Sequence, residues 1–245
     1  LDRLDPVGVG HVGRVVQLDD VLAQGAPFPF SPERILFPVR PERSRGTRVS
    51  TSLDTNGDRA MSAGSDFELA LLHLPADSRP AVEALWLLDA TLGDVVARAT
   101  QPTLGRIKLA WWREQLEALD SSPPPAEPRL AAVAAHLLPL GVAGAELAGL
   151  APAWATLLDE DIDPQLVAAR GSALFRIGGR ILGSGDPKLA EAGALHALAS
   201  VARRGLPQLF EPARDRLRGL RGHRFEPSAR PLTMLARAAA RDLGR

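Results

Sequence analysis

The stretch SRPAVEALWLLDATLGDVVARATQPTLGRIKLAWWREQLEALD, Ser78 to Asp120, decides the fold, because it holds two consecutive helices and three of the four tryptophans. Ser78 is placed to cap the first helix, and Pro80 falls in its first turn, where a missing N–H costs nothing. Leu85, Leu88, Leu92, Val95, Val96 and Ala99 recur at helical spacing, which predicts one apolar face about four turns long. Pro102 disfavours helical geometry in the residue before it, so the first helix should stop near Thr100 and a second should run from Pro102 to Asp120. In that second helix Leu109, Trp112, Leu116 and Leu119 form a stripe flanked by Leu104, Ile107 and Trp111, while Arg113 and Glu117 stand four apart and can pair. An elbow of one or two residues between helices of this length predicts antiparallel packing.

The rest of the chain reads as more helix. A short apolar helix is expected over 66–74, ended by Pro75. Asp120–Pro128, with Pro123, Pro124 and Pro125 in succession, reads as a stiff linker. Arg129–Leu140 and Ala145–Leu158 read as Ala/Leu helices. Asp163 should cap the next helix, with Pro164 in its first turn, and that helix should run to about Gly183. Another is expected from Pro187 to near Gly205, and a last one from Ser228 to Leu243. No stretch alternates with period two over five residues, so no sheet is expected and the fold class is all-α.

Composition excludes several functions. The 245 residues carry 29 basic and 29 acidic side chains, and this zero balance gives no reason to expect nucleic acid as a partner. Without cysteine there is no disulfide, iron–sulfur ligation or thiol catalysis, a usage that fits a cytoplasmic chain. No apolar run approaches the roughly 20 residues needed to span a bilayer. Of the basic residues only Lys108 and Lys188 are lysine, a skew that fits a GC-rich coding sequence.

Residues 1–60 differ from the rest of the chain, with Gly and Pro every few positions and PFPFSPERILFPVRP at 27–41. They are expected to form a disordered extension. RPERSRGTRVSTSLDTNG (40–57) resembles a translated intergenic repeat, so residues 1–60 read as upstream read-through, Met61 as the natural start and 61–245 as the helical domain. The absence of a charged-then-apolar layout argues against a secretory signal, and Asp2, Asp5, Asp19 and Asp20 argue against a mitochondrial presequence.

Three groups of residues together resemble the squalene/phytoene synthase family: Ala84-Leu85-Trp86, Gly93-Asp94-Val95-Val96-Ala97 and Leu109-Ala110-Trp111-Trp112-Arg113-Glu114. Within it, Pro102–Leu119 is most similar to a bacterial branch and to the related mitochondrial complex I assembly factors. Residues 171–183, GSALFRIGGRILG, resemble the family's Y-x-x-x-A-G-x-x-G helix, and Ala192–Arg204 takes the place of its second metal-binding helix. The resemblance implies an isoprenoid-synthase-type bundle of seven to nine helices around a central apolar cavity. Among the residues it carries, Trp86, Trp112, Arg113, Phe175 and Gly179 are the candidates to line a ligand.

The family's chemistry needs two aspartate-rich helices whose carboxylates share Mg²⁺ ions with a prenyl diphosphate. Here the first motif reads Gly93, Asp94, Ala97, which leaves Asp94 as its remnant, with Asp89 a weaker candidate. Asp89 precedes Asp94 by five residues, about 140° around the helix, so the two do not readily share one metal. The second motif reads Arg203-Arg204-Gly205-Leu206-Pro207-Gln208, without a carboxylate.

Each remaining candidate has a structural reading beside the functional one. Asp159, Asp161 and Asp163, with Glu160, have the oxygens for Mg²⁺ or Ca²⁺ but not the spacing of a calcium loop, and read more simply as an interhelical loop ending in a cap. Asp94 can pair with Arg98 at i+4. His73, His136 and His196 each stand alone on a helix, without a second ligand at i+3 or i+4. Trp86, Trp111 and Trp112 read as core, and Gly178, Gly179 and Gly183 as close helix packing. Residues 203–245 hold eleven arginines against Glu211, Asp215, Glu226 and Asp242, which suits a solvated face, contact with anionic lipid at the periphery of an inner membrane, an acidic partner, or a diphosphate held without metal.

The reading favoured by these residues is a non-catalytic, assembly-factor-like protein that binds an isoprenoid or other lipid, or a protein partner, and needs no cofactor. The competing reading is a prenyl-diphosphate transferase that uses Mg²⁺ at a rearranged site built from Asp89, Asp94 and the 159–163 cluster. A third is a plain helical interaction module.

Overall fold

The computed structural model describes residue 67 and residues 69–243. The expectations for residues 1–60, for the start at Met61 and for the domain boundary there lie outside the described residues.

Nine helices account for most of the described chain: α1 (Arg79–Ala97), α2 (Pro102–Ala118), α3 (Pro128–His136), α4 (Gly144–Ala148), α5 (Ala151–Ala155), α6 (Pro164–Ile181), α7 (Leu189–Arg203), α8 (Phe210–Gly219) and α9 (Arg230–Leu243). Helical residues at 69–72 precede them, and no strand occurs among the described residues. The stripes read from the sequence are the core. Leu85, Leu88, Leu92 and Val96 of α1 are buried, as are Leu109, Trp112 and Leu116 of α2 and Leu119 just after it. The partly buried Val95, Trp111 and Leu158 pack against this cluster. Burying one such leucine removes it from water at a gain of about 1.5–3 kcal/mol, so α1 alone contributes several kcal/mol to its docking.

A second cluster joins α6, α7, α8 and α9. Helix α7 is its axis. Ten of its fifteen residues are buried, including Ala192, Gly193, Leu195, Ala197, Leu198 and Val201, and it packs against α6, α8 and α9. A helix apolar on nearly every side has to sit inside. The closest approach is at Gly171 of α6 and Gly193 of α7, where a Cβ on either residue would collide with the carbonyl oxygen of the other. Any larger side chain there would force these two helices apart.

Local chemistry accounts for the ends. Asp163 caps α6 as expected, its Oδ1 accepting from Gln165 N at 2.7 Å. Gly183, at φ 67°, ends the helix in the left-handed region. Ser78 stands at the N-cap position of α1 but has helical dihedrals and does not cap; its Oγ donates instead to Ile181 O at 3.4 Å. The elbow between α1 and α2 is four residues, 98–101, longer than the sequence suggested.

Two long expectations break where proline or glycine intervenes. The Arg129–Leu140 helix stops at His136 and continues as a 3₁₀ turn over Leu138–Leu140, because Pro139 disfavours α geometry at Leu138. The Ala145–Leu158 helix divides at Gly149 and Leu150 into α4 and α5 and ends in a 3₁₀ turn over Thr156–Leu158. Helices α7 and α9 begin two residues late, α9 after a 3₁₀ turn at Pro227–Ala229. Helix α8 was not anticipated at all: Ala213 is its one buried residue, too little for a periodic signal, while Pro212 in its first turn is harmless.

Candidate functional site

Helices α1 and α6 meet at a polar junction inside the bundle, with the end of α7 within electrostatic reach. Its centre is Asp89. The Oδ1 of Asp89 accepts a hydrogen bond from Trp154 Nε1 at 2.8 Å, and Arg170 Nη1 donates to both carboxylate oxygens, at 3.2 and 3.1 Å. The guanidinium of Arg170 also lies over the Trp154 ring, 3.9 Å from its centroid. Arg170 is only 6% exposed, so this ion pair is charge-assisted, stacked and shielded from water. A buried charge of this kind persists only where its partner is held in place.

Trp154 does more than bond Asp89. It is 1% exposed, and its ring lies against Gly93, where an added Cβ would come within 2.7 Å of the indole. Leu85, Leu88, Leu92, Leu150 and Phe175 are likewise fully buried.

Asp94, one turn further along α1, is more open. Its Oδ2 accepts from Arg98 Nη2 at 3.3 Å, the i, i+4 pair read from the sequence. Burial pushes its carboxyl above the ordinary value, and the positive fields of Arg98, Arg129 and Arg204 oppose that. The end of α7 is positive. Arg203 pairs with Asp242 of α9, and the backbone N–H of Arg204 donates to Val201 O at 3.0 Å. Burial draws the Arg204 guanidinium down to about 10, helped by Arg170 and Arg203 and resisted by Asp89 and Asp94. Arg204 nevertheless retains some accessible surface. His196, on the same helix, is pushed down to about 3 by burial first and then by Arg203 and Arg170, against a hydrogen bond to the Leu235 backbone. It is a neutral imidazole at pH 7, and its Nδ1 has no hydrogen-bond partner among the described residues.

The other sequence candidates are dispersed. Trp86 stacks on Phe67 with centroids 5.6 Å apart and tilts against Phe175 at 6.1 Å, and Phe175 in turn faces His196 at 5.7 Å. Trp112 is buried edge-on to Trp111, and Arg113 faces outward toward Glu117 at 3.8 Å. At Gly179 a Cβ would meet the Leu189 side chain at 2.6 Å. Of the acidic loop, Asp159 pairs with Arg106 and Asp163 caps α6, its own N–H donating to Thr156 Oγ1 at 3.1 Å. Asp161 is exposed. Among the described residues no three Asp, Glu or His side chains converge as a metal site would require. In the basic C-terminal segment Arg214, Arg216 and Arg218 pair with Glu211, Glu191 and Asp215, while Arg221, Arg224 and Arg230 are exposed.

Sequence reasoning missed Arg170 and Trp154. Both lie on helices read only as apolar, and the one usable signal was an arginine on the inward face of 164–183, where burial demands a carboxylate partner.

These helices form an all-α bundle. Residues 60–140 match the family model for squalene/phytoene synthase, a match that supports membership of that family and covers α1, α2 and α3. The weaker resemblances at 171–183 and 192–204 lie beyond it. No curated protein and no solved structure matches the chain. No helix among the described residues is long and apolar enough to cross a membrane.

Proposed function

We propose that this squalene/phytoene synthase-like chain is non-catalytic and uses the synthase bundle to bind a lipid or a protein partner. One observation carries the reading. The indole of Trp154 covers Gly93, the first position of the aspartate motif, and joins Arg170 in engaging Asp89. A carboxylate held by a guanidinium at 3.1 Å and an indole N–H at 2.8 Å has most of its lone pairs engaged and its charge matched, so Asp89 is a poor metal ligand.

The rest of the junction supports the same reading. Asp94 is already matched by Arg98, and arginines stand at the end of α7 where the resemblance asks for carboxylates. Like charges there would repel Mg²⁺ rather than hold it. These residues do not fit a magnesium cluster. The partner is drawn from lipids of isoprenoid type, from anionic membrane surfaces met by Arg221, Arg224 and Arg230, or from proteins.

The experiment is an assay for pyrophosphate release from farnesyl diphosphate by the full chain with Mg²⁺. No release above the buffer rate is expected. Steady release that disappears in Asp94→Ala would replace this reading with the transferase.

A further inference from the structure

We propose that the connection between α8 and α9, together with the outer face of α9, is a docking surface for an anionic lipid bilayer, met by Arg221, Arg224, Arg230 and Arg237. The proposal rests on the binding reading above and commits it to one partner, held by residues outside the α1–α6 junction.

The charge of the C-terminal segment is unevenly matched. Arg203, Arg214, Arg216 and Arg218 pair with Asp242, Glu211, Glu191 and Asp215. Arg221, Arg224, Arg230 and Arg237 are exposed, and none of them forms an ion pair with a described residue. Two carboxylates bound to this connection are engaged otherwise. Asp186, between α6 and α7, accepts from Lys188 N at 2.8 Å, from His223 Nε2 at 2.8 Å and from Glu226 N at 3.0 Å. Glu226 in turn accepts from Ser184 Oγ at 2.6 Å and from Gly185 N at 3.1 Å. These bonds clasp the two connections together and leave the arginines beside them without a counter-charge.

The clasp also sets what faces outward. The rings of His223 and Phe225 pack edge to face, 4.8 Å between centroids, the first held on Asp186 and the second against the core. Arg224, between them, remains exposed. Arg230 opens α9, and Arg237, one heptad on, lies within about 20° of it around the helix.

Exposed guanidiniums spread over a connection and a helix face suit an extended anionic surface, where each adds its own attraction, rather than one small anion. A protein interface needs an apolar centre, and the exposed large hydrophobic side chains among the described residues, Leu69, Leu72, Ile107, Leu140 and Leu166, all lie outside this segment. Single-stranded nucleic acid needs free rings for stacking, and His223 and Phe225 are occupied with each other. The head groups of an anionic bilayer need neither.

The test is flotation of the full chain with phosphatidylcholine vesicles, with and without phosphatidylglycerol, at low and high salt. Binding is expected only with phosphatidylglycerol and should fall away at high salt. Each arginine near such a surface strengthens binding roughly fivefold, so Arg221→Gln, Arg224→Gln and Arg230→Gln combined should weaken it about a hundredfold. The control removes the same charge from paired arginines: Arg106→Gln, Arg113→Gln and Arg214→Gln combined should weaken it far less. All of these side chains are exposed, so both variants should melt close to the parent. The proposal is overturned if anionic vesicles are not bound, if phosphatidylcholine alone binds as well, or if the two variants lose binding equally. Capture of soluble polyglutamate in place of vesicles would assign the surface to an acidic protein and also overturn it. Pyrophosphate release tests the non-catalytic reading separately: a chain that ignores vesicles and releases none loses this proposal alone, and one that floats and releases it loses only that reading.

Discussion

Gly93 on α1 and Arg203-Arg204 at the end of α7 stand where the family resemblance asks for carboxylates, and the two positions depart from it in different ways. At Gly93 the space is gone: Trp154 lies where a side chain would project. At the end of α7 the charge is reversed, with Arg204 drawn down to about 10 by burial and by neighbouring arginines. The first change is steric and the second electrostatic. An aspartate introduced at one position alone is therefore not expected to create a two-helix metal site, because the other position still lacks a carboxylate.

That contrast can be broken most forcefully at Trp154. Trp154→Ala removes a fully buried indole and its hydrogen bond to Asp89, and should cost about 3–5 kcal/mol in urea unfolding. Gly93→Asp should also destabilise strongly, because its side chain meets the same ring. The two substitutions together should cost less than the sum of each, since the cavity of one accommodates the side chain of the other. Strict additivity would mean that Trp154 does not occupy the position facing Gly93.

Arg170→Met comes next in size. It leaves Asp89 inside with only an indole N–H, at a cost of about 3–5 kcal/mol, and Asp89→Asn added to it should recover part of that loss.

A smaller effect is set by pH and belongs to α7. His196 titrates near 3 in the folded chain against 6.5 for the ordinary imidazole, so the unfolded chain takes up this proton first. Its contribution is complete above about pH 6.5 and is lost as the pH falls toward 3, at up to about 1.4 kcal/mol per unit. Unfolding measured between pH 6.5 and 5, above the main carboxylate range, should show this slope, and His196→Gln should flatten it. The smallest effect is expected at Asp94. Asp94→Ala removes a partly exposed pair with Arg98 and should change stability by less than about 1 kcal/mol.

The two halves of the site were unequally legible in the sequence. Periodicity exposed the core of α1 and α2, because Leu85, Leu88, Leu92, Leu109, Trp112 and Leu116 repeat at helical spacing with prolines marking both starts. The pairs Asp94–Arg98 and Arg113–Glu117 and the Asp163 cap followed from spacing alone. The Asp89–Arg170 pair did not, since its members are 81 residues apart and nothing local links them. Trp154 was hidden for a related reason: its partners lie on α1 and α6, and the helix read over 145–158 is two short helices that turn the indole inward. Helix α8, with a single buried residue, has no pattern to read.

The measurement that bears most directly on the central claim is calorimetric titration of farnesyl diphosphate into the full chain, once in EDTA and once in millimolar Mg²⁺. A junction closed by Trp154 and lined by arginine should give the same binding heats and affinity in both, or weaker binding with the metal. Binding that appears only with Mg²⁺ would contradict the account and show that Asp89 and Asp94 serve a working metal site.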